Sequence, residues 1–171
     1  MISEKMIKSL NRQVNRETYS AYFYLGMASY ATEKGLNGIA NWFTVQVQEE
    51  LSHAQKIYDY VTQQGARVML EAIEEPPQSF SSVLDLFEKT LEHEKKVTAL
   101  INGLVNQAKD ENDHATEIFL QWFVTEQVEE EANAEELVQK LKLIGKDGNG
   151  LLMVDKELSQ RVFTPPAAAA D

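Results

Sequence analysis

The chain contains no cysteine. That excludes disulfides, thiolate zinc sites, iron–sulfur clusters and a cysteine nucleophile. Basic residues are in deficit, with 16 Lys and Arg against 27 Asp and Glu and a formal net charge of -11. A surface of that sign repels polyanions, so neither nucleic acid nor a membrane is expected as a partner, while cations are attracted. Long apolar runs are missing too. The longest stretch without a charged residue, Thr18 to Thr32, is too short and too polar to span a bilayer. The opening MISEKMIKSL lacks the apolar core of a secretory leader, so a cytoplasmic location is expected. Gly and Pro are scarce, at 8 and 4 copies. They cluster at Gly35 and Gly38, at Pro76-Pro77, in GKDGNG (Gly145 to Gly150) and at Pro165-Pro166, and they divide the chain into long uninterrupted segments.

Those segments are rich in Ala, Leu, Glu, Gln and Lys, and their apolar residues recur at steps of three and four. Met6, Leu10, Val14, Ala21, Leu25 and Ala28 make a helical stripe that Gly35 can end. Asn37 is the expected cap of a second helix striped by Ile39, Phe43, Val47, Ala54, Ile57 and Val61. After a linker of roughly 15 residues, Ser79 or Ser81 is expected to cap a third helix carrying Leu84, Phe87, Leu91, Ile101 and Val105. The polar run KDENDH (Lys109 to His114) breaks the pattern. It resumes through Phe119, Phe123, Ala134, Leu137, Leu141 and Ile144, and a short fifth segment holds Leu151, Val154, Leu158 and Val162. Four helices of roughly 30 residues are each about 45 Å long. Short links make the first and second, and the third and fourth, antiparallel pairs, and the long link can cross the bundle. The expected fold is all-α: a four-helix bundle with one long crossover and a short fifth C-terminal helix over residues 1–163, followed by a disordered tail over residues 164–171. A closed bundle offers no groove for the fifth segment, so Leu151, Leu152, Met153 and Val154 are expected to bury against neighbouring subunits.

Each stripe is interrupted by acid. Glu17 lies between Val14 and Ala21, Glu50 between Val47 and Ala54, Glu94 between Leu91 and Ile101, and Glu126 and Glu130 between Phe123 and Ala134. His53 follows Glu50 by three residues, on the adjacent turn of the same face. A single Glu on an apolar stripe usually reaches water from its edge. Carboxylates on all four stripes, with no basic residue among them, are too costly to bury unless cations balance them. Two divalent ions match four carboxylates, and oxygen donors with one imidazole suit iron or manganese.

These residues resemble those of bacterial non-haem ferritins. The resemblance spans nearly the whole chain and rests on QVQEELSHAQ (Gln46 to Gln55), LEHEKKV (Leu91 to Val97) and TEQVEEE (Thr125 to Glu131) in order. It implies a ferritin-like bundle with one iron on Glu17, Glu50 and His53. A second iron falls on Glu50, Glu94 and Glu130 with Gln127 nearby, and a third position is lined by Glu49, Glu126, Glu129 and Glu130. It further implies a ferroxidase that oxidises Fe(II) with dioxygen or peroxide and stores ferric mineral in a homo-oligomeric shell of 24 subunits with octahedral symmetry. Haem is not expected, because Leu51 stands where bacterioferritins carry a methionine ligand. Gln127 and Glu130 stand where those relatives carry a second Glu-x-x-His, and the neutral Gln127 implies a weaker second position. Tyr24, two turns beyond Glu17, falls where the family places a tyrosine close to the metals; an ordinary core tyrosine is the alternative. Trp122 is read as packing rather than as a redox relay. His93 and His114 are expected to face solvent, as are Glu131 and Glu135. The competing functional readings are a non-catalytic metal-buffering shell and a di-metal oxygenase acting on an organic substrate.

Overall fold

The computed structural model describes residues 2–165, so the expected tail lies outside the described residues beyond Pro165. Among the described residues five helices follow one another: α1 (Glu4–Glu33), α2 (Asn37–Gln63), α3 (Val83–Asp110), α4 (His114–Ile144) and α5 (Gly148–Leu158). No strand occurs among the described residues, and no described helix is long and apolar enough to cross a membrane. The ends follow local chemistry. Ser3, Ser82, Asp113 and Asp147 accept the first free amides of α1, α3, α4 and α5. The cap of α3 is therefore Ser82, not Ser79 or Ser81. Gly35, Gly65 and Gly145, each at positive φ, follow α1, α2 and α4.

The second helix departs from expectation. Asn37 is its first residue rather than its cap, and the capping position is Leu36, which has no side chain to offer. A residue distant in sequence does the work: Ile39 N donates to Asp155 Oδ1 of α5 at 2.9 Å. Closeness at this corner requires Gly38, where an added Cβ would stand 1.6 Å from the Asp155 carbonyl oxygen. The fifth helix thus packs on its own chain, and the expectation that its apolar face lies against neighbours is corrected for Val154, which is buried here beside Leu158. Leu152 and Met153 remain exposed.

The two hairpins are α1–α2 and α3–α4. Residues 64–82 carry the chain from one end of the bundle to the other along α1. Ala66 and Val68 pack against the cluster that includes Met6 and Leu10, Asn15 Nδ2 donates to the Glu71 and Ala72 carbonyls, and the Tyr30 and Phe80 rings meet at 5.3 Å. The chain enters α3 beside the end of α1, so those two helices run antiparallel; Ser9 Oγ donates to Gln107 Oε1 at 2.8 Å near the far end.

The apolar core is not continuous. One cluster holds Phe23, Tyr24, Met27, Ile39, Phe43, Phe87, Leu137 and Leu141 at the α5 end. The other holds Met6, Leu10, Val14, Ile57, Val97, Ile101, Leu120 and Phe123 at the opposite end. On every long helix a buried acid falls between the two: Glu17, Glu50, Glu94 and Glu130.

Candidate metal centre

Four carboxylates occupy the waist of the bundle. Glu17, Glu50, His53, Glu94, Gln127 and Glu130 are each no more than 6% exposed. Glu17, Glu50 and His53 can each bring one ligand atom to within 4.8 Å of the others. His53 Nδ1 lies 3.5 Å from Glu50 Oε2, the spacing its i,i+3 position dictates. Glu94 and Glu130 stand outside that tight group, but their fields act directly on Glu50.

No lysine or arginine pairs with these acids among the described residues; the partner of Glu50 is His53. Burial, and then the fields of Glu94 and Glu17, push the Glu50 carboxyl well above the usual range. Glu94 is pushed up to about 8, chiefly by burial and then by Glu130. Without a cation the centre therefore holds protons. Cations that displace those protons relieve both the desolvation and the mutual repulsion.

Neutral amides hold the carboxylates in place without adding charge. Gln13 Nε2 donates to Glu17 Oε1 at 2.8 Å, Gln46 Nε2 to Glu130 Oε2 at 3.0 Å and Gln127 Nε2 to Glu94 Oε2 at 3.1 Å. Gln127 also reaches the Glu94 carbonyl and Thr98 Oγ1, both at 3.3 Å. The Tyr24 hydroxyl donates to Glu94 Oε1, and burial with the Glu94 charge pushes its own pKa up. Tyr24 is thus a fully buried residue in contact with the centre. Trp122 packs its ring 5.4 Å from His53 and 4.8 Å from Phe123.

The remaining acids are less gathered. Glu49 is partly buried and paired with Arg161 at 2.7 Å. Burial pushes it up to about 7, with Arg161 pulling down and Glu130 and Glu126 pushing up. Glu126 is partly buried and its pKa is raised, first by burial. Glu129 is exposed. Leu51, at the position a haem ligand takes in bacterioferritins, is 48% exposed.

Two expectations are corrected. His93 is half-buried rather than open to solvent. It packs against the Phe23 ring at 4.7 Å and the Tyr19 and Tyr24 rings at 5.9 Å, with Nε2 2.8 Å from Ser20 Oγ. Burial pushes its pKa down to about 4. Glu131 is half-buried and accepts from Thr98 Oγ1 at 2.6 Å. Sequence reasoning missed Gln13, Gln46 and Arg161. The signal for the two glutamines was present: each lies four residues before a central glutamate, on the same helical face. Arg161 carried none.

Comparison with known proteins points the same way. Residues 7–144 match the ferritin-like domain. The chain is 43% identical over 156 residues to a bacterial non-heme ferritin of Campylobacter jejuni, covering 91% of this chain and 93% of that one. It is 40% identical over 163 residues to one from Staphylococcus aureus, covering 95% and 98%. Among solved structures, an engineered closed form of the Archaeoglobus fulgidus ferritin superposes with a TM-score of 0.95 at 57% identity, covering 96% of this chain and all of that one. Structures described as a novel open pore ferritin from the same archaeon give 0.94 at 56% identity, covering 95% and 100%. The chain belongs to the ferritin-like domain family and has the ferritin fold.

Proposed function

We propose that this ferritin takes up ferrous iron as substrate at the waist of the bundle and oxidises it there. Glu17, Glu50 and His53 hold one ion; Glu50, Glu94 and Glu130 hold a second, with Gln127 beside it. The observation that carries this reading is the buried Glu17–Glu50–His53 group, whose ligand atoms converge within 4.8 Å and whose charge no basic side chain balances.

The residues divide the work. Anionic oxygens gain more from a ferric than from a ferrous ion, so the carboxylates favour loss of one electron from each ion to dioxygen or peroxide. Glu50, flanked by the others, is placed to bridge. Gln13 and Gln46 orient Glu17 and Glu130 by donating an amide N–H to one oxygen of each. Tyr24 holds Glu94 in place by donating its hydroxyl hydrogen bond to Oε1. Gln127 is a neutral amide where a stronger ligand would retain the product, so ferric iron leaves to grow as mineral. The storage space is the cavity of a shell of 24 copies in the cytoplasm. The Archaeoglobus relative is described as having an open pore, so cryo-electron microscopy of assembled particles tests whether this shell is octahedral and closed.

Oxygen consumption on adding ferrous iron to the apo shell tests the chemistry. The reading requires a fast phase saturating at two irons per subunit that is abolished in Glu17→Ala and His53→Ala. Fast binding without fast oxidation would reduce the centre to a buffering site.

A further inference from the structure

Arg161 lies beyond the last turn of α5, yet its side chain reaches the acidic cluster. Nη2 donates to Glu49 Oε2 at 2.7 Å, and Nη1 donates to the Trp42 carbonyl at 3.4 Å. The guanidinium sits 4.7 Å over the Trp42 ring. Its backbone is tied down as well, because Asn41 Nδ2 donates to the carbonyls of Leu158 at 3.2 Å and Arg161 at 2.9 Å. A planar cation stacked on an aromatic face and hydrogen-bonded at two edges is held in one orientation.

What it neutralises is a set of oxygen donors. Glu49 feels the fields of Glu130 and Glu126, and Glu126 feels those of Glu130 and Glu129. On the amide that donates to Glu130, one buried acceptor has no partner: the carbonyl oxygen Oε1 of Gln46, a fully buried residue. Leaving such an oxygen dry and unpaired is costly. Carboxylates from two helices with an unsatisfied amide oxygen form a hard donor set of the kind that takes small cations. One member of the set, Glu49, already holds a cation, the Arg161 guanidinium.

We propose that Arg161 is a resident counter-ion that competes with metal cations for Glu49, so that an ion binds Glu49, Glu126, Glu130 and Gln46 Oε1 only when Arg161 swings away. The inference rests on the iron reading above and adds a control to it. The position loads after the central pair, and the returning arginine favours passage of an ion over its retention. Arg161 is a specificity-determining residue here and touches no reacting atom. Through Asn41 and the Asp155 cap, its hold on Glu49 is linked to the docking of α5 on α2.

Anaerobic calorimetric titration of ferrous iron into the apo shell tests this. Wild type is expected to show two tight equivalents per subunit and a weaker third. Arg161→Met keeps an unbranched stem over Trp42 and removes the charge. It should tighten the third equivalent roughly sixfold, about 1 kcal/mol, because the open fraction of the position no longer limits its affinity. The first two equivalents should not change. Glu49→Gln should abolish the third equivalent and, with it, the effect of Arg161→Met. A third equivalent of unchanged affinity in Arg161→Met overturns the proposal while leaving the pair intact. If Arg161→Met fails to assemble, Asn41→Ala loosens the tether and keeps the charge; it must tighten the same equivalent by a smaller factor, and no change there also overturns the proposal. Loss of the first two equivalents in wild type would instead defeat the ferroxidase reading, and the Arg161 dependence of any remaining equivalent would still decide this one.

Discussion

The apo protein should lose stability as pH rises from 6.5 to 8, and Glu94→Gln should remove much of that loss. Glu94 is 1% exposed and its carboxyl is pushed from 4.5 up to about 8. The folded state therefore keeps a proton that the unfolded chain has lost, and stability present at low pH declines as pH rises through the folded value. Between pH 6.5 and 8 the linkage integral for this one group is about 1.7 kcal/mol. Glu49, pushed up to about 7, and Glu50, also raised, add to the loss with the same sign. His93 works the other way. Its pKa falls from 6.5 to about 4, so its contribution rises with pH and is largely complete by pH 6.5. The chosen window therefore isolates the carboxylates. Glu94→Gln keeps an acceptor for Tyr24 but turns an amide N–H toward Gln127 Nε2, which now donates to Glu94 Oε2 at 3.1 Å. That cost is the same at both pH values and cancels from the slope. The assay is urea unfolding of chelator-treated protein at fixed concentration, followed by Trp42 and Trp122 fluorescence. Equal pH slopes for wild type and Glu94→Gln, or apo stability that rises across the window, would refute the account of the centre as repulsion held down by protons.

Three further outcomes are expected. Tyr24→Phe removes the donor to Glu94 and should cost about 1–2 kcal/mol of apo stability; because that hydrogen bond lowers the Glu94 pKa, the pH profile of anaerobic zinc binding should also move upward, and an unmoved profile would show that the hydroxyl does not govern the centre. Gln127→His supplies a stronger ligand and should slow the release of ferric iron to a chelator after a single oxidation round; equal release rates would remove the role assigned to Gln127. Gly38→Ala places a Cβ against the Asp155 carbonyl and should cost at least about 1–3 kcal/mol, reported by faster proteolysis around α5, whereas wild-type resistance would mean that the corner is not closed by contact.

The long helices and their inward faces were legible in the linear sequence, because a helix is built from interactions three and four residues apart. The position of Glu17, Glu50, Glu94 and Glu130 between apolar turns is such a local fact, and so is His53 one turn beyond Glu50. The same periodicity carried Gln13 and Gln46, though it could not say that their amides reach Glu17 and Glu130 rather than water. What depended on the assembled bundle involves partners far apart along the chain. His93 looked like a surface residue from its own helix and is half-covered because α1 brings Tyr19, Phe23 and Tyr24 against it. Leu36 cannot cap a helix, and Asp155 satisfies the start of α2 from 116 residues away. Arg161 pairs with Glu49 across 112 residues. No periodicity encodes such meetings, because they follow from where the crossover sends α3 and where the turn after α4 lays α5. The sequence alone determined that acids would line the inside of the bundle. Only the tertiary structure decided which of them converge, which are held by amides, and which already hold a cation supplied by the chain itself.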